Sequence, residues 1–432
     1  MKRRVYFVNL GCPKNLVDSE ILMGELAVKG AEIVTEAEDA TDLVVNTCGF
    51  IEDAKRESIE TILEAVQLKK TGGKRVFVTG CLSQRYREDL KKEFPEVDGF
   101  FGARHIERVA GELAAQMLRT EVRPFADARV VTTAPAYAYV KIAEGCDNSC
   151  AFCAIPLIRG RHKSRPTESI LKEVRQLAEN GFREVVLISQ DTTYYGRDLS
   201  DGSSLETLLR ELEKVDALEW IRLLYTYPDR ISDDLIGLLS ESEKICPYID
   251  VPIQHISDRI LKHMRRGSSR SRIEALIDHL RRRVPGIAIR TSVMVGFPGE
   301  TDSDFQELLD FVAGARFEHL GIFKYSREEN TPSFDFSDQI AEKIKQERFE
   351  LLQEIQQDIA LEINRRRVGW ETLVLVDDFD ESRNVYVGRT QWDAPEIDNR
   401  VVLKGDYIIG EMYPVQIVSA TEDELVAEIP KS

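Results

Sequence analysis

Gly145-Cys146-Asp147-Asn148-Ser149-Cys150-Ala151-Phe152-Cys153 is the stretch on which the fold reading turns. It follows Tyr137-Ala138-Tyr139-Val140-Lys141-Ile142, an alternating run that reads as a strand. Three cysteines spaced C-x-x-x-C-x-x-C therefore occupy a loop at a strand's carboxyl end. A loop this short can turn three sulfurs toward one point. Three thiolates are one too few for a closed tetrahedral zinc site, and one too few to saturate a cubane iron–sulfur cluster. The shortfall favours a cluster with one iron left open to a ligand. Two alternatives stand beside it. One is a zinc site completed from a distance, for which His162 in the basic run Arg159-Gly160-Arg161-His162-Lys163 is available; the other is three structural thiols. Lone triplets at this spacing are rarer in zinc modules than paired C-x-x-C units.

Outward from the triplet, residues 135 to about 335 repeat strand then helix six times. The strands are expected near Tyr137–Ile142, Glu184–Gln190, Trp220–Tyr227, Tyr248–Gln254, Ala288–Val295 and His319–Tyr325. Six such units predict a full or partial barrel with its site at the strands' carboxyl ends. Polar or glycine-rich residues recur there: Ser189-Gln190-Asp191-Thr192-Thr193, Tyr225-Thr226-Tyr227-Pro228-Asp229, Gln254-His255-Ile256-Ser257 and Gly296-Phe297-Pro298-Gly299-Glu300. Tyr225 and Tyr227 read equally well as barrel filling, His255 as a satisfied loop histidine, and Glu300 as an acid opening the next helix. Cys246 reads as a buried structural thiol. The run Arg159–Arg165 is expected to be a solvated loop rather than a guide for an acidic reductant.

Upstream, residues 1 to about 125 alternate strands (Val5–Leu10, Asp42–Thr47, Arg75–Gly80) with helices, as a parallel sheet covered by helices requires. Each strand ends in a cysteine: Leu10-Gly11-Cys12, Asn46-Thr47-Cys48 and Thr79-Gly80-Cys81. Open α/β sheets bind ligands just beyond their carboxyl ends. Three cysteines obeying one rule favour a second three-thiolate site over three unrelated core thiols. Downstream, a long polar helix over about Gln339–Val368 leads into five short strand-like runs, the pattern of a small β-barrel. Residues 366–432 hold 7 Lys+Arg against 14 Asp+Glu, so this module is acidic.

The 432 residues carry a net charge of −17, which disfavours an extended nucleic-acid contact and suits a basic protein partner. No stretch approaches a membrane span or a signal peptide, so a cytoplasmic location is expected. Seven cysteines there argue for metal or redox chemistry over disulfides.

On these residues the whole chain resembles the methylthiotransferases of the radical S-adenosylmethionine (SAM) superfamily. The resemblance implies an amino-terminal flavodoxin-like cluster domain over 1–125, a radical SAM partial (βα)6 barrel over 132–362 and an antiparallel TRAM β-barrel over 366–432. It implies two [4Fe–4S] clusters, one on Cys146, Cys150 and Cys153 and an auxiliary one on Cys12, Cys48 and Cys81. It implies two SAM molecules, a methyl donor and a radical source, with Gln190, Asp191, Gln254, Arg290, Ser292, Gly296 and Glu300 as cofactor-binding residues, and a low-potential electron donor such as flavodoxin or ferredoxin. Leu10-Gly11-Cys12-Pro13-Lys14-Asn15, Gln190-Asp191-Thr192-Thr193-Tyr194-Tyr195-Gly196 and Gly388-Arg389-Thr390-Gln391-Trp392-Asp393-Ala394-Pro395-Glu396-Ile397-Asp398 favour the branch that modifies an aspartate β-carbon in the twelfth small-subunit ribosomal protein. The alternative is the branch that modifies adenosines of transfer RNA, which typically has Gln-Met where Pro13-Lys14 stands; its RNA-gripping barrel should be basic.

Overall fold

The computed structural model describes residues 2–118 and 128–430; the expected domain limit at residue 125 lies outside them. In the amino-terminal domain, β1 (Arg4–Asn9), β2 (Glu32–Ile33), β3 (Asp42–Thr47), β4 (Arg75–Gly80) and β5 (Gly99–Phe100) form one sheet in the order β2-β1-β3-β4-β5. All of its pairs are parallel. This is the flavodoxin-like order, in which β1 and β3 flank the point where the chain reverses direction across the sheet. Successive strand residues face opposite sides. Val44 and Phe77 therefore pack with Leu22 and Leu26 of α1 (Pro13–Val28), while Leu43, Val45, Val76 and Val78 pack with Ile62 and Val66 of α2 (Glu52–Gly72). The two-residue strands β2 and β5 lie below the length at which alternation is legible.

The central domain holds β6 (Tyr137–Lys141), β9 (Glu184–Ile188) and β10 (Trp220–Leu223) in one parallel sheet, and β11 (Tyr248–Asp250), β12 (Ala288–Val295) and β13 (His319–Lys324) in another. A bridge between Ile221 and Ile245 joins them into an open six-stranded barrel. A small antiparallel pair, β7 (Ala143–Glu144) with β8 (Lys163–Ser164), closes the base of the cysteine loop. Two strands stop earlier than the apolar runs suggest: β10 ends before Tyr225 (φ +61°) and β11 before Gln254 (φ +69°). Non-glycine residues in that region cost about 1–3 kcal/mol and cluster at functional sites.

The long helix Glu342–Arg366 leads to a closed barrel of β14 (Glu371–Asp380), β15 (Val385–Arg389), β16 (Arg400–Leu403), β17 (Met412–Ala420) and β18 (Glu424–Glu428), in the order β14-β15-β16-β18-β17. The expectation of a wholly antiparallel barrel needs correction, because β16 and β18 pair in parallel. A ring of five strands cannot alternate direction all the way round, so at least one pair must be parallel. The stretch Arg389–Asp398 does not face outward but seats in the amino end of the central barrel. All six central strands send it a polar side chain. Tyr137 and Tyr248 donate to Glu396 (2.9 Å) and Asp398 (2.8 Å), and Arg222 donates to the Gln391 carbonyl (2.8 Å). Arg290 pairs with Asp398 (2.6 Å), Glu184 with Arg389 (2.8 Å), and His319 Nε2 lies 2.9 Å from the Trp392 carbonyl.

Candidate active site between two cysteine triplets

The sheet register determines the amino-terminal triplet. Asn9 is level with Asn46, Asn46 with Thr79 and Thr47 with Gly80, so the carboxyl ends of β1, β3 and β4 are adjacent and flush. Cys12 is the N-cap of α1, Cys48 follows β3 directly, and Cys81 opens α3 (Cys81–Glu93). Gly11 makes the approach possible: its φ is +91°, and a Cβ there would stand 2.9 Å from Cys48 Sγ. Burial pushes the Cys81 thiol up to about 11; Arg159 opposes this, while the charges of Cys12 and Cys48 add to it. Burial raises Cys48 as well. The three thiols thus form one electrostatic group.

Cations surround that group. Lys14 is buried with its Nζ 3.2 Å above the Tyr225 ring and 3.4 Å from the Ser189 carbonyl, which brings α1 onto the barrel's strand ends. Burial pulls its ammonium below the ordinary value against the charge of Cys12. Arg159, expected in a solvated loop, is only 4% exposed and forms the end of the short helix Ile155–Arg159. It pairs with Asp18 and lies 3.3 Å from Cys81 Sγ. His162 is buried too, its Nε2 3.1 Å from the Ser164 hydroxyl and its ring edge-on to Tyr194, while Arg161 and Lys163 are exposed. The apolar run Ala154-Ile155-Pro156-Leu157-Ile158 ahead of Arg159 was the available sign that this arginine turns inward.

The second triplet lies on the loop that β7 and β8 close. Gly145 (φ +79°) has no room for a side chain, since a Cβ would stand 2.1 Å from the Arg161 carbonyl. The amide of Cys146 donates to Gly160 (3.1 Å), that of Ala151 to Met264 (2.9 Å) and that of Cys153 to Cys150 (3.2 Å). Burial pushes the Cys153 thiol up to about 12, with Cys150 adding to it, and raises Cys146. Arg266 lies with Nη1 3.6 Å from Cys150 Sγ and its guanidinium 4.2 Å from the centre of the Tyr227 ring.

Several of the expected cofactor-binding residues already have other partners. Asp191 accepts from Asn148 (2.8 Å) and Thr193 (2.7 Å) and pairs with Arg230, so it anchors the cysteine loop. Glu300 does not open the next helix: Thr301 caps Asp302–Ala315, while Glu300 Oε2 takes the amides of Gly296 and Phe297 and Oε1 lies 3.3 Å from Arg348. Gly296 thereby has its amide in use and Lys345 packed where a Cβ would be. Arg290, early in β12, is committed to Asp398 in the barrel base, away from the strand ends. Gln190 gives its Nε2 to Glu144 (2.7 Å) and keeps a buried Oε1 with no hydrogen-bond partner among the described residues. Gln254 and Ser292 are half-buried, with no side-chain hydrogen bond among the described residues. Cys246 packs in the core beside Tyr248, and burial pushes it up to about 12.

Among the described residues, no three His, Cys, Asp or Glu side chains converge tightly enough to hold a single metal ion. Each site gathers three thiols that act on one another electrostatically, with no fourth ligating side chain among the described residues. That donor set fits a group wider than one ion, with an iron left open, better than a tetrahedral zinc.

Residues 140–312 match the Radical SAM superfamily, residues 4–102 the Uncharacterized protein family UPF0004, and residues 368–429 the TRAM domain. Among solved structures, the radical S-adenosylmethionine methyltransferase TsrM from Kitasatospora setae aligns with a TM-score of 0.56 at 16% identity, over 77% of this chain and 74% of its own. The cobalamin-dependent S-adenosylmethionine radical enzyme OxsB aligns at 0.51 and 13% identity, over 82% and 56%. These likenesses concern the fold. Proteins named ribosomal protein uS12 methylthiotransferase RimO are much nearer in sequence. Those of Geotalea uraniireducens and Geobacter sulfurreducens are each 46% identical over 99% of this chain and 99% of their own length. That of Christiangramia forsetii is 44% identical over 99% and 94%. With identity at this level along its whole length, the chain belongs to the RimO family of radical SAM methylthiotransferases.

Proposed function

We propose that this enzyme methylthiolates the β-carbon of an aspartate in ribosomal protein uS12. The observation that carries the reading is the pairing of two three-cysteine sites, one on each side of the junction between the amino-terminal sheet and the barrel's strand ends. Cys146, Cys150 and Cys153 would hold one [4Fe–4S] cluster, and Cys12, Cys48 and Cys81 the other. When bound, the clusters and two SAM supply what no side chain can: hydrogen removal from an unactivated carbon, and a sulfur with its methyl group. The protein's share is placement. Asp191, Asn148 and Arg230 fix the loop of the first triplet, while Gly11 and the flush strand ends gather the second. Gln190, Gln254 and Ser292 remain as side chains with polar capacity to offer SAM.

The acidic carboxyl-terminal barrel suits a basic ribosomal protein. The Asp393 and Asp398 side chains are buried in the plug, and the cations Arg367 and Arg389 are buried too, so the excess of acid lies largely outside. A ribosomal substrate implies work in the cytoplasm, and a low-potential donor such as flavodoxin or ferredoxin completes the reaction. No described helix is long and apolar enough to cross a membrane. The test is mass spectrometry after anaerobic reconstitution with iron and sulfide, offering SAM, a strong reductant and either uS12 or bulk transfer RNA. A methylthio gain on the uS12 aspartate peptide is expected. A gain on the RNA alone would overturn the substrate.

A further inference from the structure

The amino-terminal triplet takes a polar neighbour from another domain. Arg159 belongs to the central domain, at the end of the short helix that follows Cys153. One edge of its guanidinium is held by Asp18, with Glu144 at 3.4 Å. A buried guanidinium is unfavourable by several kcal/mol unless it is paired, and these carboxylates, which also pair with Lys141, hold it in place. The other edge points into the cysteine site, where Nη2 lies 3.3 Å from Cys81 Sγ and also meets Asn15 Oδ1. Asn15 cannot turn away, because its Nδ2 is tied to the carbonyls of Leu10 (2.9 Å) and Thr47 (3.0 Å). The planar fork is therefore clamped by anions behind and aimed at sulfur in front. A lysine could supply the charge but not both edges.

We propose that Arg159 is a positioning residue of the amino-terminal sulfur site, donating a charge-assisted hydrogen bond to the Cys81 sulfur from the same short segment that carries Cys146, Cys150 and Cys153. The proposal rests on the reading of Cys12, Cys48 and Cys81 as a cluster site. Hydrogen bonds and cations at ligating sulfurs set a cluster's potential. This one favours the more negative, reduced state and so raises the potential. It also makes the two sites mechanically continuous, since a shift in the loop of the first triplet moves a donor of the second.

The experiment uses full-length protein carrying Cys146→Ala, Cys150→Ala and Cys153→Ala, reconstituted anaerobically so that the amino-terminal cluster is the one observed. Its midpoint potential is read by a redox titration followed by electron paramagnetic resonance, with Arg159 intact, as Arg159→Lys and as Arg159→Gln. The expected result is a shift to more negative potential in both variants, larger for Gln, with iron content retained in Arg159→Lys. A residue that merely held the fold would change iron retention and leave the potential of the retained cluster at the parent value, and that outcome overturns the proposal. If Arg159→Gln does not fold, Arg159→Lys alone decides. Absence of iron with Arg159 intact would sink the cluster reading, and this inference with it, before any arginine is changed.

Discussion

At the scale of single residues, the site depends on positions with no steric tolerance. Gly145 combines a left-handed backbone with a carbonyl 2.1 Å from where a Cβ would lie. Gly145→Ala therefore faces roughly 1–3 kcal/mol of backbone strain before any clash is counted, and the loop must move. The expected outcome is loss of iron bound by Cys146, Cys150 and Cys153 while Cys12, Cys48 and Cys81 still load, read as about half the iron per chain. Unchanged iron would show that the loop tolerates the shift. The six cysteines were legible because their spacing and their places after strands are linear properties of the sequence. Asp191, Glu300 and Arg290 could be noticed because their positions near the strands are visible in the sequence, whereas their protein partners are not. Those partners, Arg230, the amides of Gly296 and Phe297, and Asp398, are set by tertiary packing. The expectation of a solvated Arg159 was wrong, since the basic residues that follow it disguised a buried one.

At the scale of elements, the plug Arg389–Asp398 is the feature that ties the two barrels together. The Asp398 side chain is fully buried between Arg290, Tyr248 and His319. Burial works against its ionisation, but His319 and Arg290 outweigh it and hold the carboxyl below its ordinary value. Asp398→Ala leaves Arg290, among the described residues, with the Ile397 carbonyl at 3.4 Å and the Asp250 carboxylate at 3.9 Å. Removing one member of a buried pair is unfavourable by about 3–5 kcal/mol. Calorimetry is expected to show a clear fall in Tm, with a separate early transition for the carboxyl-terminal barrel; a single transition at the parent Tm would rule out this role. The helices and long strands followed from apolar periodicity. The early ends of β10 and β11 did not, since nothing local marks Tyr225 or Gln254 as left-handed. The stretch Gly388–Asp398 could be noticed as distinctive, but its docking against six strands is a property of three dimensions.

At the scale of the whole molecule, the amino-terminal domain is held to the barrel by buried charge. Asp18 takes Lys141 and Arg159, Glu20 takes Arg129, and Glu328 takes Arg85 (2.7 Å) and Lys55 (3.2 Å). Acid should loosen the Lys141 and Arg159 cluster at this interface through Glu144. For Glu144, burial opposes ionisation, yet Lys141 and Arg159 bring it from the ordinary 4.5 down to about 2. A carboxyl held lower in the folded state than in the unfolded one stabilises fully above the ordinary value, and the gain disappears as pH falls toward the folded value. Asp250, raised by burial, acts with the opposite sign: its contribution is present at low pH and is lost as pH rises. Denaturation of the apoprotein should therefore need progressively less denaturant from pH 4.5 toward 2, with a shallower dependence in Glu144→Gln; equal slopes would remove Glu144 from the account. The three domains could be read from composition and pattern, whereas their docking could not, because ion pairs between distant positions leave no periodic trace. The plug also bears on how the chain is made. Tyr248 and Asp398 are 150 residues apart, so at about 5–20 residues per second the ribosome needs roughly 8–30 s to extend from one to the other. Throughout that interval the nascent barrel lacks its floor, and its cysteine loop has already been synthesised. The loop of the first triplet therefore passes that interval in a barrel still open at its amino end.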